Sequence, residues 1–274
     1  MKRIILCADD YGQNKAISQA IIELISENRL SATSCMTTSP DWLDQAKHLQ
    51  PFDNIDIGLH FNLTEGRPLS QEMAVQGFST LQQILLKSHL KQINKAAVTA
   101  ELHAQLDQFV KGMGRLPDYI DGHQHIHHMP VIRDAVLAVY QQRLSAQSAQ
   151  KTYIRCVNDV QTYFRFGDAY VKRVLIQSTG ASSFKKQLLA NKIPHNSSFS
   201  GIYTFSLSKQ YGLLFKQFLD NTSNNGMIMC HPGLQDTTSN DEIKLSRYDE
   251  YCYFKSHQFL EECLKNKVII ARFQ

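Results

Sequence analysis

The sequence predicts an α/β fold, and within that class an incomplete or distorted (β/α) barrel. Short apolar runs rich in β-branched residues alternate about seven times with amphipathic stretches of helical period. That order implies parallel strands joined by helical crossovers. Ionisable residues then collect where the apolar runs stop, as they do on the C-terminal face of such barrels. A length of 274 residues suits one barrel, and one domain spanning 1–274 is expected.

In chain order, Arg3–Ala8 reads as a buried strand, followed by a turn at Gly12. Asn14–Asn28 is helical, because Ile17, Ile21, Leu24 and Ile25 recur on one face. Ala32–Thr37 reads as a second strand, Asp41–Leu49 as a helix and Ile55–His60 as a third strand. Helices are expected at Ala96–Lys111 and Val131–Leu144, flanking a strand at Tyr119–Gly122. Further strands fall at Thr152–Val157, Met227–Cys230 and Val268–Arg272. Helical patterns separate them at Ala169–Gln177, Ser208–Asn221 and Arg247–Lys265. Two polar connections, Glu65–Thr80 and Asn191–Gly201, read as long loops, a feature that is usually functional.

Composition narrows the function. The net charge is +4, and lysine and arginine are dispersed apart from a minor cluster near Lys185–Lys192. No basic stripe marks a nucleic-acid partner. No stretch approaches eighteen apolar residues, so no membrane span is expected. The opening MKRIILCADD is too short in its apolar part, and too quickly acidic, for a signal peptide. Six cysteines without a CxxC pair, four of them in strand-like runs, read as buried and reduced. A cytoplasmic location is expected.

The strand ends supply the candidate site. They carry Asp9–Asp10, His60, Asp121–Gly122–His123 and His231–Pro232–Gly233. DGHQHIHHMP alone places His123, His125, His127 and His128 within six positions. Two imidazoles and a carboxylate form a usual three-ligand set for a catalytic divalent ion, with positions left open for water and substrate. Each residue also has a plainer reading. An aspartate ahead of a helix is an ordinary N-terminal cap. A lone strand-end histidine such as His60 or His231 is often structural. If the chain stays extended, His123, His125 and His127 share a side; if a helix starts there, His123 and His127 form an i, i+4 pair. Imidazoles that do not bind the ion can orient those that do. His128 is expected at the surface.

Four segments taken together resemble one known family. ADDYG (Ala8–Gly12), GLHFNLTEGRPL (Gly58–Leu69), DGHQHIH (Asp121–His127) and CHPG (Cys230–Gly233) occur in the order and spacing of the YdjC-like carbohydrate deacetylases, a group that includes chitooligosaccharide deacetylase. The resemblance spans nearly the whole chain. Tyr11 stands where ADDFG is the commoner form, and Gly122 where serine is frequent. The resemblance implies a distorted (β/α) barrel of the polysaccharide-deacetylase type. It also implies hydrolysis of the N-acetyl group of N-acetylglucosamine-containing sugars, with release of acetate. The metal ligands carry over as Asp10, His60 and His123, the base as Asp9, and a candidate general acid as His231. The family metal is usually magnesium, but two imidazoles and one carboxylate suit zinc, cobalt or nickel better.

His125 is a second choice for the acid, and His125 and His127 are expected to shape the pocket. Asp121 is expected to hold an imidazole in one tautomer, and Arg155 to bind a hydroxyl or carbonyl of the substrate. A homodimer is the expected assembly, from the resemblance and from how common two-fold dimers are. Two other functions use the same residues: a metal-dependent phosphoesterase, and a non-catalytic sugar-binding protein. A second ion site or more basic residues would favour the first. The complete ligand set and Asp9 argue against the second.

Overall fold

In the computed structural model, residues 1–145, 152–158, 177–237 and 240–274 are described. The first strand is β1 (Lys2–Tyr11), followed by α1 (Lys15–Ser26), β2 (Ala32–Cys35), α2 (Trp42–Leu49) and β3 (Asp56–Phe61). Helices α3 (Gln71–Ala74), α4 (Leu81–His89) and α5 (Lys95–Met113) precede β4 (Tyr119–Gly122). A 3₁₀ stretch at His123–His128 leads into α6 (Ile132–Arg143) and β5 (Tyr153–Ile154). Then come α7 (Ser182–Ala190), β6 (Phe199–Ser200), α8 (Tyr211–Asn221) and β7 (Gly226–Cys230). The chain finishes with α9 (Lys244–Lys255), α10 (His257–Lys265) and β8 (Val268–Ile270).

All strand pairs are parallel, in the order β5-β4-β3-β2-β1-β7-β6, with β8 on the early part of β1. Strands from the two ends of the chain therefore share one curled sheet. Between β5 and β6 a full ladder is replaced by one bridge, Ile154 to His195, and by Asn196, whose side chain accepts from Cys156 N at 2.7 Å. This partial closure makes the barrel a distorted one.

Alternation along each strand sorts the side chains. Ile4, Leu6 and Ala8 of β1 and Ile57, Leu59 and Phe61 of β3 join the core beneath the helices. Ile5, Cys7, Tyr119, Tyr153, Phe199, Met227 and Met229 fill the barrel interior. Above that plug, in step with the same alternation, sit Asp9, Ser34, His60, Asp121 and Arg155. Helix α1 shows how the outer layer is attached. Asn14 accepts from Ile17 N at 2.9 Å as its N-cap, and Ile17, Ala20, Ile21, Leu24 and Ile25 are buried.

Several boundaries differ from the expectations. β1 runs on to Tyr11, so the paired aspartates lie within the strand instead of past its end. The loop expected at Glu65–Thr80 contains α3, and α4 follows it directly. The loop expected at Asn191–Gly201 carries β6, and α7 was not anticipated. The pattern at Arg247–Lys265 is two helices, divided at Ser256. The helical pattern at Ala169–Gln177 lies outside the described residues up to position 176, and Gln177 opens an irregular turn, Gln177–Ala181. Five of the six cysteines are buried, and Cys252 is exposed. Among the described residues no helix is long and apolar enough to cross a membrane.

Candidate active site

Asp10 has φ +69°, and the β1–β2 register shifts between Ala8 and Tyr11. In a regular strand, neighbouring side chains point to opposite faces. This one left-handed residue, a bulge in effect, turns Asp9 and Asp10 to the same side and returns Tyr11 to the outer core. Gly58 of β3 makes room beside them. A Cβ there would lie 2.4 Å from the Tyr119 ring.

Asp10, His60 and His123 converge, with their donor atoms within 4.8 Å of one another. Asp10 Oδ1 lies 3.0 Å from His123 Nδ1 and 3.3 Å from His60 Nε2. Donors held about 2.1 Å from one shared ion stand about 3.0–3.4 Å apart, so the three residues fit a divalent cation. The opposite nitrogen of each ring donates to a carboxylate. His60 Nδ1 lies 2.7 Å from Asp121 Oδ1, and His123 Nε2 lies 3.0 Å from Glu65 Oε1. Such carboxylate–histidine pairs fix the ring and its tautomer for metal binding.

The electrostatics match that geometry. Burial pushes His60 down, but Asp121, Asp9 and Asp10 outweigh it and raise the ring to about 10. Burial likewise opposes a charged His123, and Asp10 and Glu65 carry it up to about 9. Burial works against the charge of Asp10 too, yet Arg247 and His123 hold it well below the usual carboxylate range. Both rings therefore carry protons that a cation would have to displace.

Asp9 sits beside this cluster under different control. Arg155 donates to both of its oxygens, Nη1 to Oδ2 at 2.7 Å and Nη2 to Oδ1 at 2.5 Å. Arg155 Nη2 is also 2.6 Å from Asp121 Oδ2 and 3.1 Å from Cys7 Sγ. Cys7, Asp9 and Asp121 form a second group with metal-like spacing, but the guanidinium already occupies its centre. Arg155 is fully buried, with Phe199 5.7 Å below its Cζ. Its two terminal nitrogens are engaged by these carboxylates, while Nε has no hydrogen-bond partner among the described residues. Arg155, expected to bind substrate, is buried outside the lining of the cavity and contacts Asp9 and Asp121. Burial opposes the charge on Asp9, and Arg155 outweighs it, so this carboxyl stays below its ordinary value.

The histidine-rich stretch is neither extended nor a regular helix. Gln124 and His125 have φ +53° and +61°, which turns the chain sharply after His123. His125 is half-buried in the cavity wall, its ring edge-on to Phe199 at 5.5 Å. His127 is buried, with Nε2 donating to Arg155 O at 2.9 Å and the ring against Phe184, so it supports the arginine instead of lining the cavity. Burial pushes His127 down to about 3. His128 is also fully buried, 2.7 Å from Thr179 Oγ1, which corrects its expected place at the surface.

His231 follows β7 and faces the same cavity. Burial lowers it to about 4, so the ring is neutral at pH 7. Its Nδ1 has no hydrogen-bond partner among the described residues. The cavity has a volume of about 910 Å³. Its polar lining includes Asp9, Asp10, His60, His123 and His231, and its apolar lining includes Leu81, Leu85, Met129, Ile202, Phe205 and Ile243.

Glu65 and Arg247 also belong to the site, and sequence reasoning did not single them out. Glu65 is held by its turn. Asn62 Oδ1 accepts from Glu65 N at 3.0 Å, and Gln13 Nε2 donates to Glu65 Oε2 at 2.6 Å. The available signal was its place in GLHFNLTEGRPL, five residues after His60.

Residues 3–265 match the model of the YdjC-like protein family. A chitooligosaccharide deacetylase of Yersinia enterocolitica is 25% identical over 259 residues, covering 92% of this chain and 87% of that protein. One of Escherichia fergusonii is 26% identical over 274 residues, covering 92% and 88%. A carbohydrate deacetylase of Danio rerio is 30% identical over 150 residues, 50% of this chain and 46% of that protein, so the match spans less than half of that relative. Among solved structures, a protein of Enterococcus faecalis V583 named for a proposed role in cellobiose-phosphate cleavage superimposes with a TM-score of 0.72 at 22% identity. That alignment covers 99% of this chain and 97% of the other. The Bc1960 peptidoglycan N-acetylglucosamine deacetylase gives a TM-score of 0.52 at 8% identity, covering 98% and 85%. These two likenesses bear on the fold, the distorted (β/α) barrel of the polysaccharide-deacetylase type. With residues 3–265 matched, the chain belongs to the YdjC-like protein family.

Proposed function

We propose that this protein is a divalent-metal-dependent hydrolase that removes the N-acetyl group from N-acetylglucosamine-containing sugars and releases acetate. One observation carries the reading: Asp10, His60 and His123 converge on one wall of a 910 Å³ cavity that Asp9 and His231 also face. The names of the relatives from Yersinia and Escherichia supply the reaction class.

Asp10, His60 and His123 would hold the cation. When bound, the cation polarises the acetyl carbonyl and makes a water acidic. Asp9 accepts the proton of the attacking water. Arg155 keeps this carboxylate ionised and correctly turned, and Oδ2 retains a lone pair beyond its bond to the guanidinium. His231, neutral at pH 7, takes up the proton that Asp9 has accepted from the water and passes it to the departing sugar amine. Burial makes this ring a weak base, so once charged it releases its proton readily. Asp121 and Glu65 hold the rings of His60 and His123 by their outer nitrogens. The apolar lining residues accommodate sugar faces, and His125 lines the same cavity.

The donor set favours zinc or cobalt over magnesium. Acetate release from N,N'-diacetylchitobiose is the direct test, using protein stripped with chelator and then supplied with magnesium, zinc or cobalt. The expected result is release restored by one or more of these ions. Absence of release with every ion, on this and on other acetylated amino sugars, would overturn the reading.

A further inference from the structure

Helix α9 lies outside the four sequence segments that carry the resemblance, yet two of its residues reach both halves of the candidate centre. Arg247 and Glu250 are three positions apart, so they share one helical face. Both are buried, at 3% and 0% exposure. Arg247 Nη2 donates to Asp10 Oδ2 at 2.8 Å and to Gln13 Oε1 at 3.1 Å, while its Nε donates to Asp241 Oδ2 at 2.5 Å. Asp10 thus has one oxygen committed to the arginine and the other turned to His60 and His123.

Glu250 acts on the opposite side. Its Oε2 accepts from His231 N at 2.6 Å, and its Oε1 accepts from Tyr203 Oη at 2.6 Å. The helix holds the His231 loop at a third point, where Gly233 N donates to Arg247 O at 3.0 Å. The arginine stem lies so close that a Cβ on Gly233 would stand 3.1 Å from Arg247 Cβ. The glycine of CHPG is therefore the space through which Arg247 passes toward Asp10.

We propose that α9 is the positioning element of the centre: Arg247 fixes the carboxylate of Asp10 in a one-oxygen binding pose, and Glu250 fixes the backbone of His231 relative to it. Neither is a catalytic residue; each acts through the residue it holds. The roles of Asp10 and His231 rest on the function proposed above, whereas the geometry of the clamp does not.

The test uses two readouts that need no substrate. The first is cobalt(II) affinity of the full-length protein, followed by titration of its visible absorption. Arg247→Met retains the stem beside Gly233 and removes the charged fork. It is expected to weaken cobalt(II) binding at least ten-fold, as loss of a ligand's partner does elsewhere. Arg247→Lys, with one charge and no fork, is expected to fall between wild type and Arg247→Met, and it carries this arm if Arg247→Met does not fold. Unchanged or tighter binding in the folded variants would mean that Arg247 is only a counter-charge, and would overturn its part.

The second readout is the imidazole ¹⁵N spectrum of the zinc-loaded protein, with the His231 signals identified by their loss in His231→Ala. Glu250→Gln and Glu250→Asp are expected to move the His231 signals and leave those of His60 and His123 in place. A His231 spectrum identical to wild type in a folded variant would overturn the role of Glu250. If acetate release fails but both readouts behave as expected, the substrate reading is wrong and the clamp stands. If release succeeds and both readouts fail, the clamp alone is wrong.

Discussion

Asp9 and Asp10 are neighbours in sequence, yet their surroundings separate them chemically. Asp10 faces two imidazoles and an arginine on a helix, while Asp9 is held by the guanidinium of Arg155 through both oxygens. Asp9→Asn is expected to leave zinc binding within a few-fold of wild type and to lower turnover by about 10²-fold or more, the usual scale for a general base. Calorimetric titration with zinc and acetate release measured on the same preparation would check both parts. Arg155→Met should act differently, because it strands two carboxylates in the barrel interior. Breaking a buried pair in this way costs about 3–5 kcal/mol, so a lower urea midpoint is expected with zinc absent. A midpoint equal to wild type would show that Asp9 and Asp121 do not depend on Arg155 for their charge. The ligand-type residues were legible because the chemistry of a metal site restricts them to few residue types at strand ends. Arg247 and Glu250 were not, since an R-x-x-E pair on a helix has the appearance of an ordinary solvated face. His128 was misjudged because nothing in HIHHMP distinguishes a buried ring from an exposed one. Its burial depends on Thr179, fifty-one residues further on.

At the level of elements, period and composition revealed most strands and the longer helices. β1, β3, β4 and β7 are short runs buried on both faces, and α1 and α5 have long apolar stripes. α4 and α7 escaped notice because each is nine residues long and buries only two side chains. Their apolar residues, including the exposed Leu86 and Leu189, do not form a clean stripe. β6 has two residues, too few for alternation to register, and β5 is a two-residue strand inside the one expected at Thr152–Val157. The bulge at Asp10 was also invisible, since a left-handed aspartate has no pattern of its own. Gly58 shows how closely β3 and β4 are fitted. Tyr119 lies directly over it, with its Oη 2.9 Å from Cys7 Sγ. Gly58→Ala would force the ring off the strand, and overpacking of this kind costs about 1–3 kcal/mol. The expected outcome is a lower melting temperature. It should be partly recovered by Tyr119→Phe in the same chain if the strain lies between the added methyl and the ring's hydrogen bond. No change on Gly58→Ala would show that the barrel interior has slack at this level.

For the molecule as a whole, the site makes stability, pH and metal interdependent. In the stripped protein His60 and His123 have native values of about 10 and about 9, against 6.5 for a free imidazole. A group whose value is raised on folding contributes stability that is complete below its unfolded value and is lost as pH rises through its folded value. For these two rings the loss begins above pH 6.5 and is complete near pH 10. A divalent cation held as proposed would take the place of one proton on each ring, at His60 Nε2 and His123 Nδ1, and would leave the outer N–H groups on Asp121 and Glu65. Metal affinity should therefore climb with pH over the same interval, as protons compete less. The melting temperature of stripped protein is expected to fall between pH 6.5 and pH 9 while that of zinc-loaded protein changes little, widening the gap by about 5 °C or more. Scanning calorimetry at four pH values, with and without saturating zinc, measures that gap directly. His60→Gln should lose part of the pH dependence as well as the response to zinc, because the same ring carries both. A gap that stays constant with pH would mean that the two rings are neutral in the stripped protein. The carboxylates around them would then have to be balanced by Arg155 and Arg247 alone.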